Sequence, residues 1–219
     1  MTVSKRISDL VLALLLATVV AVPFLVLLMI LLLAEGRPLF YVAERMKTPD
    51  QSFDLWKLRT MRVAVADSGV SGGDKSARIT RIGRVLRRTR LDEIPQLWNV
   101  FRGDMSFVGP RPPLRAYVER FPDLYAHVLK SRPGITGLAT LEFHAHEERL
   151  LATCCSLEET DAVYARRCVP RKARLDLIYQ DNQSLCFDFS LMGRTFARVF
   201  LRRFARPRAS KTADFSLSK

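Results

Sequence analysis

The four cysteines of this chain form no recognisable metal or disulfide pattern. Cys154 and Cys155 are adjacent, Cys168 and Cys186 stand apart, and the chain has no CxxC motif. Adjacent cysteines are poor partners for each other, and disulfides are rare in the cytosol. We therefore interpret all four cysteines as reduced thiols in a cytosolic environment.

Two nucleotide-binding signals are also missing, although the net charge is +13 and the pI is about 10.2. Such a charge indicates anionic partners, which include nucleic acid, phosphorylated substrates and acidic lipids. Residues 64–76 contain GVSGG but lack the Gly-Lys-Ser/Thr ending of a P-loop. The basic stretch 78–90 has no aromatic residues for base stacking. We therefore expect a mobile loop at 64–76 and no nucleic acid as a partner.

Charge is absent from residues 10–34, with basic residues on both sides of the run. The run is long enough to cross a bilayer core of ~30 Å, and no signal-peptide cleavage site follows it. Basic charge on both flanks disfavours a simple span. Pro23, near the middle, predicts a kink between two arms that each reach part-way through the core. A kinked single span stays open, but we expect a re-entrant hairpin over residues 1–36.

The sequence after residue 36 completes the prediction of a mainly α chain with a small β-hairpin (α+β). Residues 38–61 predict two short strands about a polar turn, with Lys57 and Arg59 on one face. Such a pair of cations either is solvated or faces an anion. We expect a catalytic domain over residues 37–206 and a disordered tail over residues 207–219.

Two basic segments predict amphipathic helices. Residues 78–90 place Ile82, Val85 and Leu86 on one side, with arginines that would face solvent, lipid phosphate or a phosphorylated substrate. Residues 191–206 alternate apolar residues and arginines at helical spacing. That pattern is typical of an interfacial helix or of a core helix with a basic outer face.

An acid pair, Asp92 and Glu93, precedes Pro95, which fits a helix only in its first turn. We expect a helix to start between residues 92 and 94, with both carboxylates at its positive end. Most acid pairs at a helix start are caps. Arg111, however, lies between prolines, so its guanidinium would lose little entropy on binding a phosphate.

Several stretches together resemble the bacterial sugar transferase family in its small form, the monotopic polyprenyl-phosphate phosphoglycosyl transferases. The similarity extends from about residue 5 to about residue 200. The matching stretches are KRISD at 5–9, FDLWKLRTM at 53–61, RITRIGRVLRRTRLDEIPQLWNVFRGDMSFVGPRP at 78–112, RPGITG at 132–137 and LDLIY…SLCFD at 175–188.

The resemblance implies transfer of a sugar-1-phosphate from a UDP-sugar to polyprenyl (undecaprenyl) phosphate, with release of UMP. This would be the first membrane step of exopolysaccharide, capsule or other surface glycan synthesis. It implies Asp92 as the nucleophile of a phosphosugar–aspartate intermediate and Glu93 as a catalytic ligand of Mg²⁺, with Mn²⁺ as an alternative. Arg87 and Arg111 would contact phosphate. We also assign Lys57 and Arg59 to substrate binding.

The resemblance further implies a place at the inner (cytoplasmic) membrane, with membrane lipids as partners and the catalytic domain on the cytosolic face. A homo-oligomer stays open. The alternative is a non-catalytic lipid-phosphate scaffold, which would not need Asp92 beside Glu93.

The chain departs from the family pattern after the GITG motif. There GLATLEFHAHEERLL replaces a Gly-Arg-Asn segment. His144 and His146 with Glu147 and Glu148 would form a metal site or, as such patterns more often do, a solvated helix start.

Overall fold

The structure, a computed structural model, describes residues 1–62 and 78–200, except the side chain of Phe200. These ranges contain nine α-helices and two small sheets. The mainly helical α+β class with a small hairpin is therefore confirmed, whereas residues 64–76 and 201–219 lie outside the described residues. The elements are α1 (Val3–Glu35), β1 (Phe40–Met46), β2 (Ser52–Leu58), α2 (Arg81–Thr89), a 3₁₀ turn (Leu91–Glu93), α3 (Gln96–Arg102), β3 (Ser106–Val108), α4 (Arg115–Arg120), α5 (Pro122–Val128), β4 (Gly134–Thr136), α6 (Leu138–Leu151), α7 (Leu157–Val163), a π-helical turn (Tyr164–Cys168), α8 (Val169–Asp181) and α9 (Leu185–Phe200).

Helix α1 is the one helix within the described ranges that is long and apolar enough to cross a membrane. The Thr2 side chain caps its start by accepting from the Lys5 amide, and Gly36 at φ 67° ends it. Most of its apolar side chains are exposed, with Leu33 at 82%. Pro23 lies inside a continuous helix. A bend at that residue and a domain boundary at residue 36 both stay predictions.

The first turns of α1 are fixed to the rest of the chain by buried polar contacts. The Lys5 ammonium donates to Asp188 Oδ2 on α9 at 2.5 Å, and Tyr179 donates to Asp188 Oδ1 at 2.6 Å. Arg6 donates to the carbonyl oxygens of residues 100 and 101 on α3. Asp9 accepts from the Phe107 amide. The KRISD stretch therefore anchors α1 onto α3, β3 and α9.

The last turns of α1 contact the same body of the protein. Leu31 is buried in one cluster with Leu58 of β2 and Leu86 of α2. Arg59 donates to the carbonyl oxygens of Glu35 and Gly36 at 2.8 and 3.1 Å. These carbonyls belong to the helix end, which needs donors from outside the helix. Both ends of α1 are therefore held by the same domain.

The predicted hairpin is confirmed, because β1 and β2 pair antiparallel over their full length. Phe53, Leu55 and Leu58 are buried, so both faces of β2 pack against other elements. On α2, Leu86 is buried and Ile82 is packed, as predicted, but Val85 is 52% exposed. The reason is geometric: Val85 lies about 100° around the helix from Leu86.

Strands β3 and β4 pair parallel, and glycines let their backbones come together. A Cβ at Gly134 would lie 2.2 Å from the Gly109 nitrogen, and one at Gly109 would lie 2.1 Å from the Arg132 carbonyl oxygen. Both the Val-Gly-Pro and the Pro-Gly-Ile-Thr-Gly stretches therefore need glycine at these positions. This contact fixes the segment that carries Arg111.

Helix α9 packs on the core along one side. Leu191 is fully buried, and Thr195 hydrogen-bonds Thr136 of β4. Arg194 pairs with Glu142 of α6, and Arg198 donates to the Leu141 carbonyl. The described part of the 191–206 segment thus has the contacts of a packed helix with a basic outer face.

Candidate active site

A reversal between α2 and α3 positions the acid pair. Arg90 has the left-handed conformation, with φ 58°, and ends α2. A 3₁₀ turn follows, in which the Glu93 amide donates to the Arg90 carbonyl at 3.1 Å. Helix α3 begins only at Gln96, after Pro95. The expected helix start at residues 92–94 is therefore wrong: the carboxylates lie on a separate turn before α3.

Glu93 is buried among three cations that come from three segments. Arg90 Nη2 lies 2.6 Å from Oε2, while Lys57 Nζ and Arg111 Nη2 lie 3.3 and 3.6 Å from Oε1. Burial acts to raise the pKa of Glu93, but the charges of Arg90, Lys57 and Arg111 outweigh it and hold that pKa well below its usual range. Glu93 is thus a fixed anion that holds the three cations together.

Asp92 has the opposite environment. It is 8% exposed and lines the same cavity, and within residues 1–62 and 78–200 no hydrogen bond or ion pair joins its carboxylate. Burial and the charge of Glu93 raise the pKa of Asp92, while Lys57, Arg87 and Arg90 act to lower it. The acid pair is therefore asymmetric: Glu93 is paired, and Asp92 is available.

One cavity of about 770 Å³ brings together all the residues that the sequence assigned to catalysis and substrate binding. Arg87 donates from Nε to the Thr60 hydroxyl at 2.8 Å, which orients its guanidinium at the cavity edge. Arg59 also lines the cavity while it binds the end of α1. Its role in substrate binding stays a prediction. The residues are Lys57, Arg59, Arg87, Asp92, Glu93 and Arg111.

The sequence did not single out Arg90, Lys172 or Asp176, which also line the cavity. Arg90 lies in the basic stretch, where nothing distinguishes it from its neighbours. Lys172 and Asp176 lie on α8, in the stretch around LDLIY that carries the resemblance. Only the folded chain brings α8 to the acid pair.

We expected residues 144–148 at a helix start, but they lie in the interior of α6. His144, Glu147 and Glu148 line the cavity, and Glu147 pairs with Lys172. In the described part of the chain, no group of three or more His, Cys, Asp or Glu side chains could enclose a metal ion. The segment is part of the cavity wall.

The acid pair nevertheless has the chemistry that Mg²⁺ uses beside phosphorylated substrates. Mg²⁺ is usually bound by one or two carboxylates together with substrate phosphates and water. Asp92 carries a carboxylate with no partner among the described residues, and Glu93 adjoins it. The residues therefore fit a metal whose remaining ligands come from a substrate.

The sequence profile of the bacterial sugar transferase family matches residues 1–202. This chain therefore belongs to the bacterial sugar transferase family, a family of transferases.

Among individual relatives, the chain is 32% identical over 197 residues to the sugar transferase EpsL of Bacillus subtilis, covering 90% of this chain and 87% of EpsL. It is 30% identical over 218 residues to the exopolysaccharide production protein ExoY of Sinorhizobium fredii, covering 92% and 87%. It is 40% identical over 140 residues to a UDP-glucose:undecaprenyl-phosphate glucose-1-phosphate transferase of Caulobacter vibrioides, covering 62% of this chain and 52% of that one. The chain thus matches nearly all of two relatives but about half of the third.

The site predicts an unusual titration of Lys57. Burial and the charge of Arg111 lower its pKa to about 8, although Glu93 acts to raise it. Lys57 should therefore lose its charge as the pH rises through about 8. We expect Arg111→Gln to move this titration to higher pH and Glu93→Gln to move it to lower pH. Nuclear magnetic resonance of ¹³C-labelled lysine side chains measures both shifts, and Lys57→Arg assigns the signal. Titration near the ordinary lysine value in the wild type would contradict the environment described.

Proposed function

We propose that this protein transfers a sugar-1-phosphate from a UDP-sugar to undecaprenyl phosphate, releasing UMP, as a step of exopolysaccharide or other surface glycan synthesis. The observation that carries the proposal is the Asp92 carboxylate, which has no partner among the described residues, beside a Glu93 held by three cations. The cavity of about 770 Å³ lies within the usual size range of small-molecule sites. A non-catalytic scaffold would gain nothing from a buried carboxylate without a partner, because burying it costs free energy.

In the first step, an Asp92 carboxylate oxygen attacks the β-phosphorus of the UDP-sugar. A phosphorus–oxygen bond forms to Asp92, the bond from that phosphorus to the bridging oxygen breaks, and UMP leaves with the bonding electrons. In the second step, a phosphate oxygen of undecaprenyl phosphate attacks the same phosphorus and displaces the Asp92 carboxylate. Each step exchanges one bond for another, so no redox partner is needed, and the two substrates are never required together.

The cations make the first step feasible. A pyrophosphate repels a carboxylate, so its charge must be neutralised before Asp92 can approach. Arg87 and Arg90 are near Asp92, and Lys57 and Arg111 are held beside it by Glu93. Glu93 keeps Lys57, Arg90 and Arg111 in place before substrate binds, and Thr60 orients Arg87, so little reorganisation is needed during the reaction.

Asp92 must be ionised to act as a nucleophile. Its pKa is raised by burial and by the charge of Glu93. A carboxylate with a raised pKa is a better nucleophile when ionised, because its charge is less stabilised. The neighbouring cations oppose this rise and keep the ionised form accessible.

Mg²⁺, or Mn²⁺ in its place, would be held by Glu93 together with substrate phosphates, beside the Asp92 carboxylate. When bound, it would neutralise the charge of the pyrophosphate and of the leaving UMP. Glu93 would then share its carboxylate between the metal and the cations that surround it in this structure.

We further propose that α1 enters and leaves the membrane on the cytosolic face as a re-entrant hairpin bent at Pro23. The support is that one domain holds both ends of α1, through Lys5 at the start and Arg59 at the end. A 33-residue helix spans about 50 Å when straight. A helix that crossed the bilayer would separate its ends by a hydrocarbon core of ~30 Å. One domain on one face could not then hold both.

Exposed apolar side chains on other elements supply a membrane contact beside α1. Trp98 of α3 is 55% exposed, and Phe189 of α9 is 54% exposed. Helices α3 and α9 also hold the start of α1. We propose that this side of the domain faces the lipid headgroups.

The decisive experiment concerns Asp92. We expect Asp92→Asn to lower turnover by at least about 10³-fold, because the amide is not a nucleophile. The amide has nearly the same size, so the free energy of unfolding should change by about 1 kcal/mol or less. Wild-type protein given UDP-sugar without acceptor should release about one UMP per site. Mass spectrometry should place a phosphosugar on the peptide that contains Asp92.

The matched control is Asp123→Asn, an exposed carboxylate on α5 outside the cavity. It should retain wild-type activity and form the same adduct. An adduct on another peptide, or near-normal turnover by Asp92→Asn, would show that Asp92 is not the nucleophile.

Removal of divalent metal tests the role assigned to the acid pair. Exhaustive chelation should abolish turnover, and added Mg²⁺ or Mn²⁺ should restore it. Glu93→Gln should raise the Mg²⁺ concentration needed for half-maximal rate, whereas Asp92→Asn should stay inactive at any Mg²⁺ concentration. Full turnover after chelation would remove the metal from the mechanism.

Chemical labelling tests the topology. In cells with an intact inner membrane, an impermeant maleimide should not label a cysteine introduced as Thr2→Cys. The exposed native thiols Cys155 and Cys186 report on the same domain and should also stay unlabelled until the cells are opened. Labelling of position 2 alone would show a full span.

A further inference from the structure

The cavity has a second wall, built from α6, the π-helical turn and α8, that the chemistry above does not use. Its polar residues include His144, Glu147, Glu148, Tyr164, Lys172 and Asp176, and we call it the α6–α8 wall. A π-helical turn inside helical structure frequently accompanies a functional site. The wall is continuous with the phosphate-binding side, since the charge of Arg111 acts on both Glu93 and Glu147.

Lys172 and Glu147 form a closed, neutral pair within this wall. The Lys172 ammonium donates to both Glu147 oxygens, at 3.1 and 3.2 Å, and to the Tyr164 hydroxyl at 3.1 Å. The side chains of Lys172 and Glu147 are only 13% and 18% exposed. All three donors of the ammonium therefore have partners, so Lys172 fixes Glu147 and is not a free cation for phosphate.

Asp176 lies one helical turn after Lys172 on α8 and has no such partner. It is 7% exposed and lines the cavity, and Oδ1 is completely buried without a hydrogen bond. In the described part of the chain no donor reaches either oxygen. Burial raises the pKa of Asp176 to about 7 against the charge of Lys172. A buried carboxylate without a donor costs free energy when it is ionised, and a ligand hydroxyl that donates to Oδ2, the oxygen that is not fully buried, would offset part of that cost.

The chemistry of the wall selects the class of ligand. Lys172 neutralises Glu147, so Asp176 is the group that disfavours a second phosphate, and Arg111 disfavours a cation. Hydroxyl groups fit, because they can donate to the carboxylates and accept from a tyrosine hydroxyl. Tyr117 and Tyr125, which also line the cavity, offer apolar ring faces. Neutral hydroxylated rings match this combination.

We propose that the α6–α8 wall binds a hydroxylated ring of the donor, with Asp176 as the acceptor of its hydroxyl groups and Glu147, held by Lys172, as a second acceptor. The inference rests on the proposed function, because a UDP-sugar presents two such rings, the transferred sugar and the ribose. Phosphates then bind at Lys57, Arg87, Arg90 and Arg111, and the ring beyond them binds the wall. Asp176 positions the donor without reacting with it.

The test measures coupling between Asp176 and individual donor hydroxyls. The probe is whichever of UDP-glucose, UDP-galactose and UDP-N-acetylgalactosamine the wild type turns over, with analogues that each lack one sugar or ribose hydroxyl. We expect Asp176→Asn to lower kcat/KM for the intact donor about 10-fold or more and to leave the KM for undecaprenyl phosphate unchanged. With the wild type, one deoxy donor should show a similar loss of kcat/KM relative to the intact donor. With that same deoxy donor, Asp176→Asn should lower kcat/KM by less than about twofold relative to the wild type.

The position of the coupled hydroxyl identifies the ring. Coupling to a sugar hydroxyl supports the proposal and assigns the wall to the transferred sugar, whereas coupling to a ribose hydroxyl supports it and assigns the nucleoside. Additive losses for every analogue would overturn it. Asp181→Asn, an exposed carboxylate at the end of the same helix, should behave as wild type.

Two further readouts separate this inference from its alternatives. A merely structural role for Asp176 would lower the thermal midpoint and depress kcat/KM equally for all donors, without coupling. If Asp176→Asn does not fold, the wild type and Glu147→Gln are compared on the same analogues, and no loss for any deoxy donor would overturn the proposal. If the wild type turns over the intact donor but Asp176 shows no coupling to any donor hydroxyl, this inference is rejected and the proposed function stands. Failure to turn over any UDP-sugar rejects the proposed function and this inference with it.

Discussion

The site depends on one buried anion, Glu93, and the three cations around it. Lys57 comes from β2, Arg90 from the end of α2 and Arg111 from the segment after β3. A buried ion cluster contributes little net stability, because desolvation offsets the Coulomb attraction. Its effect here is positional: loss of Glu93 would leave three cations converging without the carboxylate that pairs with them, and with Asp92 as the nearby counter-charge. The cluster therefore fixes how the hairpin, the α2–α3 reversal and the Arg111 segment meet.

The same arrangement gives the two adjacent carboxylates different properties. Glu93 uses both oxygens on cations, whereas Asp92, one residue before it on the 3₁₀ turn, faces the cavity without a partner within the described ranges. On an α-helix N-terminus both would have been stabilised by the helix dipole. Here Arg90 ends α2 in the left-handed conformation, and the acid pair lies on a 3₁₀ turn before α3. The pKa of Asp92 is raised there, which suits the role of nucleophile proposed for it.

Sequence patterns predicted what depends on local periodicity and residue chemistry. The alternation in residues 53–59 predicted the hairpin, and the run of residues 10–34 predicted the apolar helix. The acid pair and its arginines stood out as a constellation that the cavity does bring together. The contacts of Arg59 with the end of α1 could not be predicted, nor could the position of Asp176. Both depend on packing between segments far apart in the chain, which leaves no periodic signal.

A few residues link helix α1 to the elements that line the cavity. Arg59, which lies just after β2, holds the last carbonyls of α1. It is two residues beyond Lys57, which is on β2 and holds Glu93. At the other end of α1, Lys5 binds Asp188, and Tyr179 joins Asp188 to α8, the helix that carries Lys172 and Asp176. Each end of α1 is therefore linked to one side of the cavity: the last turn to the side that carries Glu93, and the first turn to α8, which carries Asp176. Because the same helix contacts both sides of the cavity, the position of α1 and the arrangement of the cavity walls depend on each other.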